Sequence, residues 1–80
     1  MYLEIITPEN KMYSGEVDSV KLPGADGSFG ILNHHAPMIA SLKKGTIKVT
    51  DTKKIVENFE INGGVVEVLN NKVVVLAEKA

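Results

Sequence analysis

The sequence contains no cysteine, no tryptophan and no arginine among its 80 residues. Lack of cysteine removes disulfides, thiolate nucleophiles and Cys-based zinc sites, and fits a reducing compartment. Lack of arginine removes the usual bidentate reader of phosphate and guanine. All nine basic residues are Lys, and the acidic residues bring the net charge to −1. That balance weighs against nucleic acid. Aromatics are scarce as well: Tyr2, Tyr13, Phe29 and Phe59 are too few and too scattered for a base-stacking platform. No apolar run approaches the ~20 residues of a membrane span. The start, Met1-Tyr2-Leu3-Glu4, has no basic region followed by an apolar stretch, so it is not read as a signal peptide. These absences describe a soluble cytoplasmic chain that would meet a membrane only through a partner.

What remains is an ordinary globular composition, 44% hydrophobic, in a length that allows one domain over residues 1–80. Its most informative feature is punctuation. Pro8, Gly15, Pro23-Gly24, Asp26-Gly27, Gly30, Pro37, Gly45, Asn62-Gly63-Gly64 and Asn70-Asn71 break the chain into short pieces. Between them lie strand-like runs. Leu3-Glu4-Ile5 alternates, Val20 and Leu22 share a face, and Thr46 to Thr50 alternates cleanly. Lys54 to Ile61 places Ile55 and Phe59 together. Val65 to Leu69 and Val73 to Leu76 are rich in β-branched residues, and the second run is apolar on both faces, as in a central strand. Asn70-Asn71 between them predicts a tight hairpin. Met38 to Lys44 fits two helical turns or a strand equally well. The pattern predicts an all-β sandwich or barrel.

The densest punctuation, Gly24 to Pro37, holds the candidate chemistry. His34-His35 suggests a metal, but adjacent side chains on extended chain point to opposite faces and no further ligand has supporting spacing. Asp26, Ser28 and His35 include the residue types of a nucleophilic triad. However, Asp26-Gly27-Ser28-Phe29-Gly30 lacks the Gly-x-Ser-x-Gly elbow, and triads are defined by geometry. The glycines form no phosphate loop. Lys43-Lys44 and Lys53-Lys54 fit solvated loop or edge charges. Phe29, inside the punctuated loop, is a candidate contact residue, whereas the other aromatics fit the core. No catalytic, cofactor-binding or metal-binding residue is assigned. A small all-β chain with this inventory is best read as an interaction or structural module. A small nucleic-acid-binding β-barrel and a lipoyl- or biotinyl-type carrier domain, with Lys72 near a hairpin tip, are the alternatives.

The same segment resembles the signature of the epsilon subunit of F-type ATP synthases. The matching positions are Gly24, Gly27, Gly30-Ile31, His35-Ala36-Pro37 and Met38-Ile39. Met12-Tyr13-Ser14-Gly15, Asn62-Gly63-Gly64-Val65-Val66-Glu67-Val68 and Val73 to Ala77 resemble further family runs, in order and along nearly the whole chain. His34 stands where the family usually has Gly, Asn33 where it often has Pro, and Lys44 replaces the Pro of a later Pro-Gly turn. The resemblance spans the family's N-terminal domain and not its C-terminal helical hairpin.

The resemblance implies a flattened β-sandwich of about ten short strands. It implies a non-catalytic central-stalk subunit of a proton-translocating enzyme, coupling rotation of the c-ring to the gamma subunit and the catalytic head. It implies c-ring contact through Asp26, Gly27 and Ser28, with Asp26 the charged member, and gamma contact through His35, Met38 and Ala40. It places the chain peripherally on the cytoplasmic face of the bacterial inner membrane, without a cofactor. The isolated chain is expected to be a monomer.

Overall fold

Alternating apolar and polar residues govern the elements, because extended chain sends successive side chains to opposite faces. The computed structural model describes residues 1–79 and contains six strands. They are β1 (Tyr2–Ile6), β2 (Lys11–Gly24), β3 (Gly27–Leu32), β4 (Met38–Asp51), β5 (Val56–Leu69) and β6 (Lys72–Lys79). Neighbours in sequence pair antiparallel, except that β4 pairs with β2 across β3. β1 lies between β2, to which it is antiparallel, and β6, to which it is parallel. The sheet therefore closes into a ring of β1, β6, β5, β4 and β2, and β3 stands outside it, paired with β2 alone.

The all-β expectation holds, but there are six strands rather than about ten. The difference lies in β2, β4 and β5, each of 14 residues. Their buried faces change phase partway along. In β5 the buried positions run Ile61 and Gly63, then Val66 and Val68. In β4 they run Leu42, then Ile47 and Val49. In β2 they run Val17, then Val20 and Leu22, with a bulge between Val17 and Ser19. A strand that changes its buried face by bulging or bending serves two layers in turn. The glycine signals in these runs therefore mark bends within strands. The sharpest is Gly63-Gly64, with φ of 141° and 153°. A Cβ on Gly64 would stand 2.3 Å from the Leu76 carbonyl oxygen of β6.

The core lies inside the ring, with Leu3, Ile5, Leu22, Ile31, Ile47 and Ile61 fully buried. Each such side chain contributes about 1.5–3 kcal/mol. In β6 only Val73, Val75 and Ala77 point inward, while Leu76 is 56% exposed. The run that is apolar on both faces is thus buried on one. Residues 38–44 resolve to strand, because β4 pairs with β5 in an unbroken register from Met38↔Val68 to Thr50↔Val56.

Two turns follow from local chemistry. Asn70-Asn71, with φ of 52° and 59°, forms the hairpin closed by Leu69↔Lys72, as Asn's tolerance of the left-handed region predicts. Between β4 and β5, Asp51 Oδ1 accepts from the N–H groups of Lys53 (2.8 Å) and Ile55 (3.0 Å). That Asx turn takes Ile55 out of the strand expected from Lys54 and leaves it exposed. Phe59 is half-buried and meets Tyr13 edge-on, with ring centroids 5.7 Å apart.

Candidate functional site

The site is built at the β2–β3 hairpin tip and the start of β4. Gly24↔Gly27 closes a two-residue turn with Ala25 and Asp26 at its apex. Gly27 has φ of 131°, outside the range comfortable for an L side chain. Gly24 is needed for a different reason: a Cβ there would stand 2.5 Å from the Gly27 carbonyl and 2.7 Å from the Phe29 ring. Phe29 is therefore half-buried and packs on the core, more anchor than free contact residue. Ala25 N–H donates to Ser41 O at 2.9 Å and ties the tip to β4.

Between tip and strand runs a surface groove of about 650 Å³, lined by Asp26, Ser28, Phe29, Met38, Ile39 and Ala40 among others. Asp26, Gly27 and Ser28 were expected to face one partner, and Met38 and Ala40 another. The fold sets these five side by side in one groove, with Asp26 its only charged lining residue. Met38 and Ala40 are half-buried; Asp26, Gly27 and Ser28 are exposed. His35 lies outside the groove, where its Nδ1–H donates to the Ala36 carbonyl at 2.7 Å. His34 has φ of 62°, and its backbone N–H donates to Asn71 Oδ1 at 2.7 Å. Among the described residues no group of three or more His, Cys, Asp or Glu side chains converges as metal ligands would.

A second feature escaped the sequence reading. Ile39 of β4, Val65 and Leu69 of β5 and Leu76 of β6 are exposed, Ile39 by 72%. The registers Ser41↔Val65↔Leu76 and Ile39↔Glu67↔Val74 place them on adjoining positions of one outer face. This face borders the groove at Ile39. The exposed Glu67 stands among these residues, between Ile39 and Val74, and clustered exposed apolar residues with a polar member mark an interaction site more often than scattered ones do. The available signal was the second apolar face of Val73 to Leu76.

Beyond that face, on β1, Glu4 is bracketed by Lys11 Nζ at 2.9 Å and Lys72 Nζ at 3.4 Å. The Lys11 hydrogen bond chiefly, then Lys72, holds the Glu4 carboxyl below the usual carboxylate range against the opposing effect of burial. The Lys11 ammonium is correspondingly raised. Lys72 also lies 5.8 Å from the Tyr2 ring centroid. Tyr13 is pushed above the usual phenol value by burial, then by the Asp51 and Glu57 charges.

Comparison with known proteins adds to this geometry. The family model described as "ATP synthase, Delta/Epsilon chain, beta-sandwich domain" matches residues 1–80. The ATP synthase epsilon chain of Chlorobium limicola is 45% identical over 76 residues, covering 95% of this chain and 86% of its own length. That of Desulforamulus reducens is 46% identical, covering 98% of this chain but 58% of its own. That of Sulfurimonas denitrificans is 49% identical, with 98% and 60% covered. The chain thus spans about three fifths of two of these relatives. A chain of the Euglena gracilis mitochondrial ATP synthase, in a structure of OSCP, F1 and c-ring, superposes with a TM-score of 0.88 at 18% identity. The match covers 94% of this chain and 48% of that one. At that identity the likeness establishes the fold.

Proposed function

The chain belongs to the β-sandwich family of ATP synthase delta and epsilon chains, and from that premise we propose that it is a non-catalytic subunit of the central stalk of a proton-translocating F-type ATP synthase. Residues 1–80 act as one unit. It joins the c-ring to the gamma subunit, so that ring rotation is delivered to the catalytic head. It sits at the cytoplasmic face of a bacterial inner membrane and reaches the bilayer only through the ring. Asp26, Gly27 and Ser28 meet the ring's polar loops, while His35, Met38 and Ala40 face gamma.

The observation that carries this reading is the exposed apolar face around Ile39, Val65 and Leu76, continuous with the groove that holds Asp26. A large partner surface would cover it and reach the Met38 and Ala40 wall of the groove, leaving the wall with Asp26 and Ser28 for a second, polar partner. Catalysis by this chain would need a converged set of reacting groups, and His35 does not line the groove that holds Asp26 and Ser28. The carrier reading is disfavoured because Lys72 is engaged by Glu4 and the Tyr2 ring. The nucleic-acid reading is disfavoured because Phe29, Phe59 and Tyr13 pack against the core.

The test is co-migration with purified gamma subunit on size exclusion. Wild-type chain is expected to co-elute. Leu76→Asp is expected to lose co-elution while unfolding at an unchanged urea midpoint, since the side chain is exposed. Asp26→Lys is expected to keep gamma and to weaken ATP-driven proton pumping in the reassembled enzyme. Failure of the wild-type chain to co-elute overturns the role; unchanged pumping by Asp26→Lys overturns the ring assignment.

A further inference from the structure

β3 has one paired edge and one open edge. The phase of its pairing is fixed by proline. Pro23 has no N–H, so Pro23↔Ser28 is a position that exchanges no hydrogen bonds, and Gly24↔Gly27, Leu22↔Phe29 and Val20↔Ile31 are the ones that do. Ser28, Gly30 and Leu32 therefore turn their backbone N–H and C=O groups away from β2. No partner strand and no turn hydrogen bond satisfies these groups among the described residues.

Proteins usually guard such an edge with charge, proline or a bulge. β3 reads Gly-Ser-Phe-Gly-Ile-Leu, without a charged residue or a proline, and its register against β2 has no bulge. Leu32 is 65% exposed at its end. Shortness is the one guard present.

We propose that this edge pairs antiparallel with the β3 edge of a second copy of the chain, about a twofold axis through Gly30. That register is singled out by the strand itself. It sets Ser28 opposite Leu32 of the second copy and Gly30 opposite its counterpart, so every outward backbone group on both edges gains a partner. It also sets Phe29 level with Ile31 of the second copy, so that the inward faces of the two strands stay in phase. Beyond the paired segment, Asp26 comes level with His34 of the second copy. A slip by one residue would set Ser28, Gly30 and Leu32 opposite residues whose own N–H and C=O groups are turned toward β2, and the outward groups would stay unpaired. The nearest like charge is Lys21, one strand back. The two copies of Lys21 would lie three strand spacings apart, roughly 14 Å, beyond the ~8 Å screening length of physiological salt.

Two six-residue edges bury less than a standard interface of ~1,200 Å², so the dimer is weak, with a dissociation constant above about 1 μM. The expected monomer therefore holds in dilute solution and gives way on concentration. The inference rests on the fold and not on the stalk role.

Sedimentation of the full chain from about 10 μM to 1 mM tests it, together with amide exchange by NMR. A rise in mass toward the dimer is expected. Slowed exchange should appear at Gly30 and Leu32 at high concentration and be absent at low. Gly30→Pro removes the donor at the axis without touching the bonds to β2, and Ser28→Lys adds an edge charge. Each should raise the dissociation constant at least tenfold with an unchanged circular dichroism spectrum. A single-chain mass up to 1 mM would overturn the proposal. So would a dimer that neither variant weakens, which would place the contact on another surface, such as the apolar face around Leu76.

Discussion

Gly64→Ala is the perturbation that the architecture resists most strongly. Gly64 sits where β5 bends from one layer to the other, with φ of 153°, a conformation open essentially to glycine. Holding an L residue there costs about 1–3 kcal/mol. The new Cβ would also stand 2.3 Å from Leu76 O and 3.0 Å from Ala77 Cα. Both are backbone atoms of a paired strand, so relief requires β5 and β6 to separate locally. Losing two or so ladder hydrogen bonds costs about 1 kcal/mol each. Alanine returns about 0.4–1 kcal/mol by restricting the unfolded chain. The net loss is about 3 kcal/mol, against a total stability of about 4–12 kcal/mol for a domain of this length. Thermal unfolding followed by circular dichroism should show Tm lowered by at least about 12 °C, since 1 kcal/mol moves a domain of this size by about 4–8 °C. Gly30→Ala is the control. Its φ is ordinary, and its Cβ would meet nothing closer than Val20 O at 3.9 Å, so it should stay within about 1 kcal/mol of wild type. A Gly64→Ala protein within 1 kcal/mol of wild type would refute the corner as described.

Two further outcomes follow from local geometry and charge. His34→Gly should stabilise the chain by up to about 1 kcal/mol in urea unfolding. A left-handed L residue costs about 1–2 kcal/mol, and glycine's unfolded-state entropy takes back about 0.5–1; a destabilised variant would show that the imidazole makes a contact that outweighs its strain. Tyr13 should ionise above the ordinary phenol value. A group raised on folding contributes stability that is whole below its unfolded pKa, about 10, and is lost as pH rises through the folded value. Stability should therefore fall on that alkaline limb, more steeply than in Tyr13→Phe. A tyrosinate absorbance change at the unperturbed pH in a Tyr2→Phe background, where Tyr13 is the one phenol left, would contradict the burial.

The features legible in the sequence were those set by two or three neighbouring residues. Asn70-Asn71 announced its hairpin because both residues tolerate positive φ. Ile47 and Val49 announced a buried face because alternation is local. The strand count was not legible, because a glycine that ends a strand and a glycine that bends one look alike. Gly63-Gly64 bends β5 only because β6 passes within contact of it, a relation between residues 64 and 76 that no local pattern contains. The exposed face was hidden for a similar reason. Val73 to Leu76 is apolar on both sides, and only the position of β6 in the ring decides that Leu76 faces out. Asp26 and Ala40 were each picked out, but their meeting in one groove depends on the Ala25–Ser41 bond between hairpin tip and β4.

That bond bears on the proposed role. A coupling part must pass a load from one contact to another without yielding between them. A force applied at Asp26 enters β4 through Ala25 and Ser41, two residues from Ile39 on the apolar face. From Ser41 the ladder continues directly to Val65 and Leu76. Beyond the two-residue tip, which the Ala25–Ser41 bond ties to β4, the path from groove to face runs through hydrogen-bonded strand and crosses no further loop. Loops open locally at low free energy, whereas paired core strands open only near the global unfolding cost. In a sandwich made of separate short strands, each layer could shift on its own loops. Here β2, β4 and β5 are continuous through both layers, so one layer cannot shift without bending three strands at their corners. Stiffness of this kind suits transmission of torque, and it comes from the long strands, with Gly63-Gly64 allowing β5 to turn without a break.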